Sequence, residues 1–222
     1  MPEQNQPVVI DYYTDILCVW AWIAQPRLDE VHRQWGETIL VRQRFVDHLG
    51  DCYRKIPPQW GQQEGFETYG KHVVEAAAGH ESATVNPGLW SQVRPLSSLP
   101  SHLALKAAEL SAGGDAAAEL ALHIRRAFFC DAQDVAQRSV LLSIANEAAI
   151  DTAALQVQLE NGAAAAALSA DLRAANDAGV RGSPTWILND GRQVLYGNVG
   201  YRILHANIEE LMSRPIQEAS WC

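Results

Sequence analysis

The stretch Asp11-Tyr12-Tyr13-Thr14-Asp15-Ile16-Leu17-Cys18-Val19-Trp20-Ala21-Trp22 decides how the rest of the chain is read. The run leading into it, residues 8–13, is rich in β-branched and aromatic side chains, the pattern of a buried strand. From Cys18 onward the period changes. Trp22, Ile23, Leu28 and Val31 recur at helical spacing until Gly36 ends the run. Residues 38–46 place Ile39, Val41 and Phe45 among charged neighbours and read as a second strand. Strand, helix and strand of these lengths make a parallel βαβ unit. Cys18 then falls where the helix begins. Its first amides lack intrahelical partners and its dipole is positive there, so the Cys18 thiol is expected to have a lowered pKa and to act as a nucleophile. The alternative is a buried, inert cysteine.

Outward from this unit the pattern turns helical. Residues 51–70, with Pro57-Pro58, Gly61 and Gly65, are expected to be loop. Helices are expected at 69–78, 100–110, 115–129 (with Asp115 as N-cap), 135–149, 152–159 and 163–177, with a Pro/Gly/Ser-rich connection at 82–99. After a turn at 179–182, residues 184–188 read as a strand and Asn189-Asp190-Gly191 as a hairpin turn. A return strand follows at 193–196, then a last helix at 201–212. The order is β-α-β, a helical block, then β-β-α. The expected fold is α/β and thioredoxin-like with an inserted α-helical domain. The thioredoxin-like part is discontinuous (1–54 and 179–222), and the insertion covers 55–178.

Bulk properties narrow the function. The 222 residues are 48% hydrophobic and 19% charged, and the net charge of −9 disfavours a phosphate backbone as partner. Arg42 and Arg44 alternate on a strand and Arg125-Arg126 is only a short pair, so no basic patch for nucleic acid is evident. The cysteines Cys18, Cys52, Cys130 and Cys222 are far apart with no CxxC pair, which argues against a metal site. The beginning, Met1-Pro2-Glu3-Gln4-Asn5-Gln6-Pro7, lacks a basic region, and no segment is apolar enough to span a membrane. A reducing cytoplasm is the expected compartment.

The segment 11–22 resembles the redox-helix start of the DsbA family, in particular its FrnE-like branch, where the usual form is Asp-x-x-Cys-Pro-Trp-Cys-Tyr. Gly179-Val180-Arg181-Gly182-Ser183-Pro184-Thr185-Trp186 resembles that family's cis-proline loop. Residues 122–129, with Asp131 and Val135, resemble its helical insertion. Here Val19 replaces the proline and Ala21 the second cysteine. The related glutathione-dependent branch, the 2-hydroxychromene-2-carboxylate isomerases and kappa-class glutathione transferases, carries serine where this chain has Cys18.

The resemblance implies a catalytic Cys18 and a Ser183-Pro184 loop that presents backbone groups to a thiol substrate or to glutathione. Ala21 cannot release a mixed disulfide, so an outside thiol or another cysteine must do so. Cys130 is the first internal candidate. Trp20 is read either as a pocket wall or as core, and Asn198 either as a glutathione contact or as an ordinary turn residue. Asp15 is expected to cap the helix, with tuning of the thiol as the other reading. His48 and His102 are considered for a cleft between the domains. The implied activity is a monothiol thiol-disulfide oxidoreductase. A glutathione-dependent isomerase or transferase and a non-enzymatic binding or chaperone-like relative are the alternatives. No tightly bound cofactor is expected, glutathione is the cosubstrate candidate, and a homodimer is expected by resemblance.

Overall fold

The computed structural model describes residues 7–213. β1 (Val8–Thr14) is buried along nearly its whole length. α1 (Val19–Trp35) follows and ends at Gly36, whose φ of 49° favours glycine and whose N–H bonds to the His32 carbonyl. A 3-10 turn (Gly36–Thr38) leads into β2 (Ile39–Phe45), which lies parallel to β1 in the register Val8 to Ile39 through Thr14 to Phe45.

The helical part comprises α2 (Cys52–Trp60), α3 (Gly65–Ala77), α4 (Leu99–Ala112), α5 (Gly114–Phe129), α6 (Arg138–Glu147), α7 (Thr152–Glu160) and α8 (Ala163–Asp177). The segment 51–70 is therefore not the expected loop. The Asp51 carboxylate accepts the Arg54 amide at 2.9 Å and starts α2, and Cys52 and Ile56 bury one turn apart. Pro57 and Pro58 are tolerated because the carbonyls they leave unbonded belong to exposed Tyr53 and Arg54, which water can satisfy. α2 also runs across the boundary expected at 54/55. Asp115 is not the N-cap of α5: Gly113 ends α4 and begins α5 at once, and Asp115 sits in the first turn. α6 is shorter than the expected 135–149. Asp134 Oδ1 holds the Ala136 amide before the helix starts, and Ala149 turns to φ 57° after it.

β3 (Thr185–Leu188) returns antiparallel to the other side of β1, and β4 (Gln193–Tyr196) pairs antiparallel with β3, giving the order β2-β1-β3-β4. The hairpin between them has Asn189, Asp190 and Gly191 all at positive φ, as the turn residues require. α9 (Tyr201–Ser213) closes the described chain.

Among the described residues two large hydrophobic clusters and a small one of Tyr13, Val46, Ala175 and Ile187 form the interior. Val8, Ile10 and Tyr12 of β1, Trp186 and Leu188 of β3, and Leu204, Ile208 and Leu211 of α9 form one with Ala24, Leu28 and Val31 of α1. The larger cluster fills the helical part, and Ile16, Leu17, Val19, Trp22 and Ile23 belong to it. α1 thus begins in one core and ends in the other, which sets Cys18 at their seam. An ionic tie joins the same two parts. Asp171 on α8 meets Arg44 of β2 and Lys106 of α4, each at 2.8 Å, and Arg42 and Arg44 both reach Asp11 of β1.

Candidate active site

Cys18 is the N-cap residue of α1, with extended φ and ψ of −78° and 118°. Its carbonyl accepts the amides of Ala21 and Trp22, each at 3.1 Å, so the helix is anchored on this residue. The thiol points away from the helix and donates to the Ser183 carbonyl at 3.2 Å. The Ser183–Pro184 peptide bond is cis. Ser183 Oγ in turn accepts the Asp15 amide at 2.9 Å and lies 3.5 Å from Thr14 Oγ1. Two loops distant in sequence, residues 14–18 and 182–184, are therefore stitched together around the sulfur.

Burial works against the lowered thiol pKa that the position suggested. Burial pushes the Cys18 pKa up from its ordinary value, and the Asp15 charge adds to the rise. The Ser183 contact and the backbone of Ala21 and Trp20 oppose it without prevailing. At this site desolvation of the charged form outweighs the helix end.

Asp15 does not cap α1. Its buried carboxylate accepts the Leu17 amide at 2.9 Å through one oxygen. The other oxygen accepts the His48 and Leu49 amides and the Ser98 hydroxyl, at 3.2, 2.7 and 2.8 Å. It pins the loop before Cys18 onto the helical part. His102 is fully buried rather than lining a cleft: Nε2 accepts the Ile16 amide at 3.1 Å and the ring stacks on Phe45. Burial pushes its pKa down. His48 is partly buried beside Lys55, and burial followed by that charge lowers its pKa too.

The remaining expected residues fall into place unequally. Trp20 is 38% exposed next to Cys18, so the core reading fails for it. Trp22 is the core tryptophan, stacked on Phe129 with Nε1 donating to the Thr84 carbonyl at 3.1 Å. Asn198 follows Gly197, whose amide bonds to the Pro184 carbonyl at 2.9 Å, and Asn198 Oδ1 is buried without a hydrogen-bond partner among the described residues. Cys130 sits at the end of α5 with Sγ 3.5 Å from the Thr84 carbonyl. Cys18, Cys52 and Cys130 are all free. Cys52 is buried and its pKa is pushed up to about 12, first by burial. Cys222 lies outside the described residues.

Sequence reasoning missed two groups. Arg125 is fully buried, donating to Gln25 Oε1 and to Thr14 Oγ1, each at 3.1 Å. Its spacing from Ala121 and Phe128 places it on the inward stripe of α5, and that was the available signal. Tyr69 of α3 is the other. Burial, then the charge of Cys18, pushes its pKa up. Nothing in its local sequence marked it. Among the described residues no cluster of three or more His, Cys, Asp or Glu side chains comes together to hold a metal, and no helix is long and apolar enough to cross a membrane.

The fold that brings these two loops together recurs in known proteins. A Nitrosomonas europaea protein that carries a provisional protein disulfide isomerase name superposes with a TM-score of 0.79 at 15% identity, covering 94% of this chain and 99% of that one. The cytosolic disulfide reductase DsbM from Pseudomonas aeruginosa superposes at 0.69 with 23% identity, covering 90% and 98%, and is also known with GSH. A 2-hydroxychromene-2-carboxylate isomerase superposes at 0.62 with 18% identity, covering 96% of this chain and all of the other. At these identities the likeness shows a shared DsbA-type fold. Among curated proteins, the ClpXP adapter protein SpxH of Halalkalibacterium halodurans is 24% identical over 185 residues, 83% of this chain and 60% of its own length. The chain spans 58 to 68% of the curated relatives it matches. The family model described as thioredoxin matches residues 12–203, from the strand before Cys18 to the helix after the proline hairpin, and the chain belongs to that family.

Proposed function

We propose that this chain is a monothiol thiol-disulfide oxidoreductase of the cytoplasm, with Cys18 as nucleophile and glutathione as cosubstrate. The observation that carries the reading is the 3.2 Å contact between the Cys18 thiol and the carbonyl of Ser183, the residue before Pro184. A sulfur held against the proline loop suits attack on a disulfide whose peptide lies along that loop.

The Cys18 thiolate attacks a substrate disulfide, forms a mixed disulfide and expels the other sulfur as a thiolate. A glutathione thiolate then attacks the substrate-side sulfur of that bond, which regenerates Cys18 and leaves a glutathione–substrate disulfide. Ala21 carries no second thiol, and Cys130 at the end of α5 is the internal alternative to glutathione. Trp20, Ser183, Pro184 and Asn198 frame the bound peptide, with the unpartnered Asn198 Oδ1 accepting one of its amides. Burial, which raises the Cys18 pKa, disfavours its thiolate.

Ala21 also favours a second reading, a glutathione-dependent isomerase or transferase in which Cys18 orients the glutathione sulfur without oxidation. The adapter name of the SpxH relatives makes a binding module the third. One experiment separates them: incubation with oxidised glutathione followed by intact mass, for the wild type and for Cys18→Ala. The oxidoreductase gives one glutathione adduct that needs Cys18 and is cleared by reduced glutathione. Binding of reduced glutathione without an adduct selects the isomerase or transferase, and neither signal selects the binding module.

A further inference from the structure

α5 carries Arg125 into the seam between the two cores. The guanidinium is fully buried, and both of its hydrogen bonds go to neutral acceptors, Gln25 Oε1 and Thr14 Oγ1. Its Nε has no hydrogen-bond partner among the described residues, and neither has the buried Tyr12 hydroxyl. A buried cation without an anion is costly, and natural chains retain one only where something offsets the cost. The carboxylates around it act on it through space without bonding to it. Both oxygens of Asp15 are taken by four other donors. Exposed Asp29 meets Arg125 only through the Gln25 side chain.

What remains is the sulfur. Thr14 Oγ1, which accepts from Arg125, lies 3.5 Å from Ser183 Oγ, and the Ser183 carbonyl holds Cys18 Sγ. Gln25, the second acceptor, lies two turns along α1 from Cys18 on the same helix face. We propose that Arg125 is the built-in counter-charge of the Cys18 thiolate, a positioning residue that the helical insertion supplies to the nucleophile. The inference rests on the reading of Cys18 as a nucleophilic thiol. While Cys18 is protonated Arg125 is hydrogen-bonded to no anion, and loss of the thiol proton adds a negative charge to its field. The field of Arg125 therefore works against the burial that raises the thiol, and it favours Cys18 as leaving group when glutathione resolves the mixed disulfide. Electrostatics at Arg125 agree: burial lowers its pKa, and Tyr12, then Cys18, then Asp15 and Asp29 act to raise it.

The test is the pH profile of Cys18 alkylation by iodoacetamide, read by peptide mass so that Cys52 and Cys130 serve as internal references. Arg125→Met should slow Cys18 about tenfold at pH 8, the effect of roughly one pKa unit, with the reference cysteines unchanged. Arg125→Lys should retain most of the rate. Gln25→Glu hands Arg125 a carboxylate while exposed Asp29 turns to water, so it should leave the fold intact and still slow Cys18. Because it is nearly isosteric, it carries the test if Arg125→Met does not fold. A folded Gln25→Glu protein, or a folded Arg125→Met protein, with the wild-type profile overturns the proposal. Absence of a glutathione adduct alongside the expected alkylation profiles overturns the redox reading and leaves this one standing.

Discussion

His102 shows how a single buried side chain couples the site to pH. Its Nε2 accepts the Ile16 amide two residues before Cys18, so protonation there breaks the bond that holds the loop. Burial lowers its pKa in the folded chain, with the Arg125 charge in the same sense and Asp15 opposing. Below about pH 6.5 the unfolded chain takes up a proton that the folded one refuses. Stability is therefore complete above that pH and is lost as pH falls toward the depressed folded value. The urea midpoint should be lower at pH 5 than at pH 7.5, and His102→Gln should flatten the difference. An unchanged slope in the variant would assign the effect to other groups, His48 first among them. Cys18 obeys the same physics with the opposite charge: burial keeps it protonated, and its reactivity depends on what surrounds the thiolate rather than on the helix end alone.

At the scale of elements, the contact between sheet and helices is polar as well as apolar. Asp171 on α8 accepts from Arg44, from Lys106 and, at 3.3 Å, from the Phe45 amide that ends β2. Lys106 and Asp171 are both buried, and although Lys106 also meets Glu109 and Asp171 also meets Arg44, removing one charge leaves the other under-compensated. Asp171→Asn should destabilise the protein by about 3 kcal/mol in urea titration. Lys106→Met/Asp171→Leu should recover much of that loss, because a well-packed apolar pair avoids the desolvation cost. A double variant no better than the single one would mean that the Phe45 amide bond matters more than the ion pair.

For the whole molecule, α1 is the shared beam. Its first turns pack into the helical core and its later turns into the sheet core, and the Asp15 and Asp171 contacts cross the same seam. Such coupling should make the two parts unfold together. Trp186 reports on the sheet core and Trp22 and Trp90 on the helical core. Tryptophan fluorescence, followed in variants that keep one reporter region at a time, should give the same urea midpoint as circular dichroism. Separated midpoints would show two folding units meeting at a weak seam.

How much of this was legible in the chain depends on the range of the cause. The strand–helix–strand opening, the hairpin at Asn189-Asp190-Gly191 and the strand at 193–196 rest on local period and turn chemistry, so residues 8–46 and 185–196 were readable, and Cys18 could be placed at the start of a helix. α2 was not readable, because two prolines outweigh its cap in any local tally and only the exposure of Tyr53 and Arg54 makes them harmless. The state of Cys18 was not readable either. A helix terminus is visible in sequence, but the depth of burial, the Ser183 carbonyl opposite and the Arg125 cation beneath are contributed by residues more than a hundred positions away. Neighbours along the chain were enough to set the family's frame and to single out the candidate nucleophile. The electrostatics of that nucleophile came from the fold, because desolvation and charge act through space.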